Sequence, residues 1–102
     1  MHSMQITLRD VRRSTALSGR IREKCEQLER LHPHVRHCRV NVAQSTGRGA
    51  RHLPFVVTLR VSLPGEEVVV EREHLDPFLA LREAFRVARR RVKEAAVAAR
   101  GE

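Results

Sequence analysis

Hydrophobic and polar residues alternate in four segments of the chain, which is the pattern of β-strands with one buried face. The segments are residues 5–9, 36–43, 54–63 and 67–73. Pro64 and Gly65 separate the last two segments and favour a tight hairpin turn. In that hairpin we expect Glu71 and Glu73 to lie across from Arg60 as cross-strand pairs.

Two other segments, residues 16–31 and 76–100, repeat apolar side chains every three or four residues, as one face of an α-helix does. In the first helix the residues expected to be buried are Leu17, Ile21, Cys25, Leu28 and Leu31. In the second helix they are Phe78, Leu81, Phe85, Ala88, Val92, Ala96 and Ala99. Each helix therefore has one face that can pack on a sheet.

The ends of both helices carry residues that favour helix termination or capping. Ser14 or Thr15 can cap the first helix. Asp76 offers a side-chain acceptor to the start of the second helix, and Pro77 suits its first position. Gly101 is expected to close that helix.

The predicted order of elements is β-α-β-β-β-α, an α+β fold. A helix between the first and second strands allows these two strands to pair in parallel, and the next two strands continue as an antiparallel meander. The sequence therefore predicts a four-stranded mixed sheet with both helices packed on one face. Its length, residues 1–102, is that of a single domain.

Positive charge is concentrated on the second helix. The chain has 20 Lys and Arg against 12 Asp and Glu, a net charge of +8. Five cations follow the helical period beside the apolar stripe: Arg82, Arg86, Arg89, Arg90 and Lys93. Like charges three or four residues apart destabilise a helix. Because this sequence keeps them, the positive electrostatic field of the helix is expected to have a function. The first helix mixes its charges, but its N-terminal part is net basic through Arg20, Arg22 and Lys24.

This charge pattern is typical of a protein that binds a polyanion, with nucleic acid favoured over an anionic membrane. Arginine suits phosphate contacts, although a GC-rich genome would favour arginine equally. The only aromatic residues are three Phe, which argues against binding of single strands by stacking on exposed rings.

Catalytic, metal-binding and redox motifs are weak. We find no nucleophile motif or carboxylate pair, and expect neither enzymatic activity nor a cofactor. His32, His34 and His37 lack the spacing of a metal site and are expected on the surface. Cys25 and Cys38 are expected to be buried free thiols, as in a reducing cytosol. With no apolar run long enough to span a bilayer, we expect a cytoplasmic protein.

From Met4 to about Arg100 the sequence resembles the ribosome hibernation-promoting factors, also called ribosome-associated inhibitor or sigma-factor modulation proteins. The segment MQITLRDV is similar to the family's first strand, and STALSGRIREKCEQLERL to its first helix. Residues 75–81, LDPFLAL, resemble the start of its Arg- and Lys-rich second helix. The likeness depends on the joint order of these motifs.

The resemblance implies a fold like that of double-stranded RNA-binding domains. It also implies binding to the small ribosomal subunit and its ribosomal RNA near the decoding region, with messenger and transfer RNA excluded and idle ribosomes preserved under stress. The implied RNA contacts are Arg82, Arg86, Arg89, Arg90 and Lys93 on the second helix, with Arg20, Arg22 and Lys24 on the first.

Four features depart from the family pattern. Phe78 replaces its usual Tyr, Arg82 replaces an acid, and the loop of residues 44–53, with Gly47 and Gly49, is longer. The C-terminal dimerisation domain of the long form is absent, so we expect a monomer off the ribosome. Two alternatives remain open: a general binder of double-stranded nucleic acid, and a regulatory module that binds an acidic protein.

Overall fold

The computed structural model describes residues 3–9, 15–44 and 53–99. Its elements are β1 (Ser3–Arg9), α1 (Thr15–Leu31), β2 (His37–Gln44), β3 (Phe55–Leu63), β4 (Glu66–His74) and α2 (Pro77–Ala99). The predicted order β-α-β-β-β-α is confirmed, and the predicted strand boundaries differ by two residues or fewer. The proposed cap at Ser14, the end at Gly101 and most of the loop 44–53 lie outside the described residues.

The sheet follows the chain order β1-β2-β3-β4, with β1 and β2 parallel and the other pairs antiparallel. Arg9, Ala43, Val56 and Glu73 form one row across the four strands. This row marks the end of the sheet at which β1 and β4 finish, so α1 and α2 both begin there. The two helices therefore run in the same direction, with their N-termini at the same end of the sheet.

The core lies between the helices and one face of the sheet. Valine and leucine at alternate positions of β2, β3 and β4 point into it, because side chains alternate between the faces of a strand. These fully buried strand residues include Val40, Val42, Val57, Leu59 and Val61. Leu17, Ile21, Cys25 and Leu28 pack against them from α1. The opposite face of the sheet carries exposed polar side chains such as Arg39 and Arg60.

The buried stripe of α2 differs from the predicted stripe at both ends of the helix. Phe78 is 39% exposed, and Ala99 is exposed. The buried positions of the 23-residue helix run from Ala80 to Val92, so its first and last turns are less covered than its middle. In its middle the stripe is wider than predicted and also buries Ala80, Ala84 and Val87.

Leu31, the last residue of α1, was also expected in the core but is 65% exposed. The helix ends at this residue, and the chain turns away into the segment that leads to β2. The last apolar position of the α1 stripe therefore has no sheet residue to cover it.

The predicted partners of Arg60, Glu71 and Glu73, are wrong, because Glu71 lies opposite Thr58 and Glu73 opposite Val56. Gly65, with φ of 83°, forms the turn between β3 and β4 and places Leu63 opposite Glu66. This register puts Arg60 opposite Val69, and its guanidinium forms an ion pair with Glu67 at 3.1 Å. The carboxylate of Glu71 instead accepts a hydrogen bond from Thr58 at 3.5 Å.

Candidate nucleic-acid interface

The start of α2 is fixed by Asp76. Its Oδ1 accepts a hydrogen bond from the backbone N–H of Phe78 at 2.9 Å, and its backbone oxygen accepts one from Ala80 at 3.1 Å. The backbone N–H of Asp76 donates to Nδ1 of His74 at 2.9 Å. These contacts confirm the predicted cap. Because they fix where the first turn begins, they also fix which side chains of α2 face away from the sheet.

One row of cations lies along the side of α2 that faces away from the core. We call this set the α2 cation row; its members are Arg82, Arg86, Arg89 and Lys93. They recur at steps of three and four residues and therefore share one side of the helix. Arg90 lies at the margin of the row. All are exposed except Arg89, which is half-buried.

The charges of the α2 cation row are not neutralised by ion pairs. Across the part of the chain that the structure describes, two ion pairs occur: Arg60 with Glu67 at 3.1 Å, and Arg90 with Glu94 at 3.8 Å. The helical period places Glu94 about 100° from Lys93, on the flank of the row rather than in it. The positive field of the row is therefore directed into solvent.

The α1 helix contributes two of its three predicted cations to the same region. Arg20 and Lys24 are four residues apart on one flank of α1 and line a groove together with Arg82 of α2. Arg22 lies about 160° around the helix from each of them, as the helical period requires. Of the eight residues predicted as RNA contacts, seven therefore lie on or beside one surface, whereas Arg22 is on the other flank of α1.

The groove between the helices has a volume of about 310 Å³. We call it the α1–α2 groove. The residues that line it are Arg20, Lys24, Phe78, Leu79, Leu81 and Arg82. Phe78 was expected in the core, and no role was expected for Leu79. The Asp76 cap was the available signal, because it places Phe78 in the first turn of the helix.

At the other end of the row, Lys93 lies near His32, which follows α1. Partial burial lowers the pKa of His32, and electrostatic repulsion from His34 and Lys93 lowers it further. The rings of His32 and His34 meet edge to face, with 5.7 Å between their centroids. No three His, Cys, Asp or Glu side chains within the described ranges are placed to hold a metal ion.

Arg91 differs from its neighbours in sequence because it is used within the fold. Its Nη1 donates a hydrogen bond to the backbone oxygen of Val69 on β4, at 3.0 Å. The helical period places it about 180° from Arg82. Arg91 therefore does not belong to the α2 cation row, although a count of arginines along the sequence would include it.

The fold and this surface define a basic α+β domain in which two parallel helices, backed by a mixed four-stranded sheet, expose unpaired cations. A family model described as Sigma 54 modulation protein / S30EA ribosomal protein matches residues 4–97. The chain belongs to this family, whose members are ribosome-associated modulation proteins. The resemblance identified from the sequence is thereby confirmed.

Two solved structures share the fold. A ribosomal subunit interface protein from Coxiella burnetii is 16% identical, with a TM-score of 0.77 over 93% of this chain and 98% of that chain. The N-terminal domain of Protein Y from Thermus thermophilus is 22% identical, with a TM-score of 0.69 over 92% of this chain and 98% of that one.

No protein with a curated description matches the chain. Over residues 3–9, 15–44 and 53–99, no helix is both long and apolar enough to span a lipid bilayer.

Proposed function

We propose that this protein binds ribosomal RNA of the small ribosomal subunit near the decoding region. In this proposal residues 1–102 act as one RNA-binding domain, monomeric off the ribosome. The bound protein excludes messenger and transfer RNA by occupying their space, which inhibits translation and preserves idle ribosomes under stress. Membership of a ribosome-associated family supports the ribosome as the partner.

The observation that carries the proposal is the α2 cation row without ion pairs. Four cations within twelve residues of one helix side repel one another in the free protein, and phosphate groups would remove that repulsion. Arginine binds phosphate through two parallel N–H donors, and three members of the row are arginines. A phosphodiester backbone that follows the helix would satisfy the whole row.

The cations on α1 extend this proposed contact sideways. Arg20 and Lys24 lie across the α1–α2 groove from the first turn of α2, and Arg90 lies at the margin of the row. The proposed RNA contacts are therefore Arg82, Arg86, Arg89, Arg90 and Lys93 with Arg20 and Lys24. Because Arg22 lies on the other flank of α1, we propose it as a separate contact with a different part of the RNA.

The test is co-sedimentation with purified small subunits in a sucrose gradient. Replacing Arg86 and Arg89 by Glu should abolish co-sedimentation. The matched control replaces Arg36 and Arg39 by Glu, which changes the net charge equally at exposed positions away from the α2 cation row. We expect the control to sediment with the subunits as the unmodified protein does, and circular dichroism should show that both variants are folded.

Equal binding by the Arg86/Arg89 variant would mean that RNA is bound by another face. Equal loss of co-sedimentation in both variants would mean that the interaction depends on net charge alone. Competition separates a ribosomal site from general duplex binding, because bulk double-stranded RNA should displace the protein from subunits only at a large excess. Capture of an acidic protein after nuclease treatment, with no ribosomal RNA, would contradict the proposal.

A further inference from the structure

An apolar patch lies where β4 passes into α2. Five large hydrophobic side chains are exposed in the described part of the chain, and three of them fall within five consecutive residues: Leu75 (61%), Phe78 (39%) and Leu79 (39%). Phe78 and Leu79 also line the α1–α2 groove. Clustering of exposed apolar side chains, unlike scattered single ones, marks an interaction site.

The exposure of Phe78 is built into the start of the helix. Its backbone N–H is held by Asp76 at 2.9 Å, so the first turn cannot rotate without losing its cap. The positions that α2 offers to the core in the next two turns are filled by Leu81 and Phe85, which are 0% and 1% exposed. The ring of Phe78 therefore remains partly in solvent, on the same side of α2 as Arg82. Three Phe are too few for a platform that binds single strands, but this one exposed ring is available to one base.

Cations surround this apolar surface. Arg82 follows Phe78 by one helical turn, and Arg20 and Lys24 face it from α1. None of these three forms an ion pair with a carboxylate in the described residues. A ligand that matches the groove has a flat apolar face and an adjacent negative charge. An unpaired nucleotide has both, whereas the bases of a continuous duplex are stacked on one another and present no face.

We propose that the α1–α2 groove is a subsite for one unpaired nucleotide of RNA. The base lies against the ring of Phe78 and the side chain of Leu79, and its phosphate is held by Arg82 with Arg20 or Lys24. The subsite rests on the proposed function, because the α2 cation row is what brings RNA to this end of the helix. It adds a preference for a bulge or loop to a surface that otherwise contacts only backbone.

The test uses two RNA hairpins that differ by one nucleotide. One contains a single unpaired 2-aminopurine in its stem, and the other has the same stem fully paired. We expect the unmodified protein to bind the bulged hairpin about tenfold more tightly, within the range that stacking of a base on an aromatic ring contributes. Phe78→Leu should lose this preference while its affinity for the paired hairpin is unchanged, and Phe78→Tyr should retain it.

Ring-proton NMR gives a second readout that does not depend on affinity. The chain has three Phe and no Tyr or Trp, so the signals of Phe78 can be assigned by their loss in Phe78→Leu. Stacking of the unpaired base should shift them upfield with the bulged hairpin and leave them in place with the paired one. No shift with the bulged hairpin would overturn the subsite.

The outcomes distinguish the subsite from the function on which it rests. Equal affinity of the unmodified protein for both hairpins would overturn the subsite and leave RNA binding by the α2 cation row intact. A preference that persists in Phe78→Leu would overturn the role of the ring. Binding to neither hairpin nor small subunits would overturn both proposals. Phe78 signals that shift only with an acidic amphipathic peptide would overturn the subsite alone.

Discussion

Arg91 of α2 donates a hydrogen bond from its Nη1 to the backbone oxygen of Val69 at 3.0 Å. Val69 lies on β4, an edge strand of the sheet. An edge strand offers unpaired backbone groups to other chains, and a helix side chain that binds one of them makes the edge less available. Arg90, one residue earlier, is 68% exposed and makes one long ion pair with Glu94, at 3.8 Å.

The contrast between these neighbours predicts different costs for the same substitution. Arg91→Ala should lower the free energy of unfolding by about 1 kcal/mol, because a hydrogen bond between helix and sheet is lost. Arg90→Ala should change it by less than about 0.5 kcal/mol, as is usual for exposed ion pairs. Urea denaturation measures both changes in the free energy of unfolding. The two substitutions change helix propensity equally, because each replaces Arg by Ala within α2. Equal effects would show that the Val69 contact does not stabilise the fold.

The affinity for RNA should depend steeply on salt. If about six cations meet phosphates, the binding constant should fall roughly 10³-fold between 50 and 200 mM salt, because bound counterions are released from the RNA. Arg86→Gln should reduce the slope of the logarithmic plot by about one, whereas Arg39→Gln on the open face of the sheet should leave it unchanged. A binding constant independent of salt would contradict phosphate contacts.

Substitution of two phenylalanines on α2 should lower stability to very different extents. Phe85 is 1% exposed and is among the largest fully buried side chains, so Phe85→Ala should lower the free energy of unfolding by about 3–5 kcal/mol. Phe78→Ala should cost less than about 1 kcal/mol, because its ring already contacts water. Thermal or urea denaturation distinguishes them. A large loss of stability for Phe78→Ala would mean that this ring is packed in the core and is not available in the groove.

From the thiol of Cys25 we predict a loss of stability at alkaline pH. The Sγ atoms of Cys25 and Cys38 are 3.1 Å apart and both residues are fully buried. The hydrogen bond with Cys38, followed by burial, raises the pKa of the Cys25 thiol well above its ordinary value near 9. The unfolded thiol therefore ionises first, so this contribution is complete below pH 9 and is lost as the pH rises.

We expect the free energy of unfolding to fall by about 1.4 kcal/mol between pH 8 and pH 10 from this single proton. Cys25→Ala should be less stable at pH 8 but should lose less on going to pH 10. Urea denaturation at both pH values in the presence of a reducing agent provides the measurement. Identical pH dependence in the two proteins would mean that Cys25 is not the titrating group.

Local signals in the sequence determined much of this protein. Alternation and helical spacing predicted every element, because a side chain's position along a strand or helix decides which face it occupies. The Asp76 cap was predicted correctly because its donors lie within the next few residues. The α2 cation row was predicted for the same reason, since it lies within one helix.

Only the tertiary structure decided how separate elements meet. It grouped Arg20 and Lys24 with Arg82 across the α1–α2 groove and left Arg22 on the other flank. It left Phe78 partly exposed beside the α1–α2 groove, and it paired Arg60 with Glu67 through the register of the β3–β4 turn. These results depend on turn geometry and on the parallel course of the helices. No repeat within a single element carries that information, because each relationship joins residues from two elements.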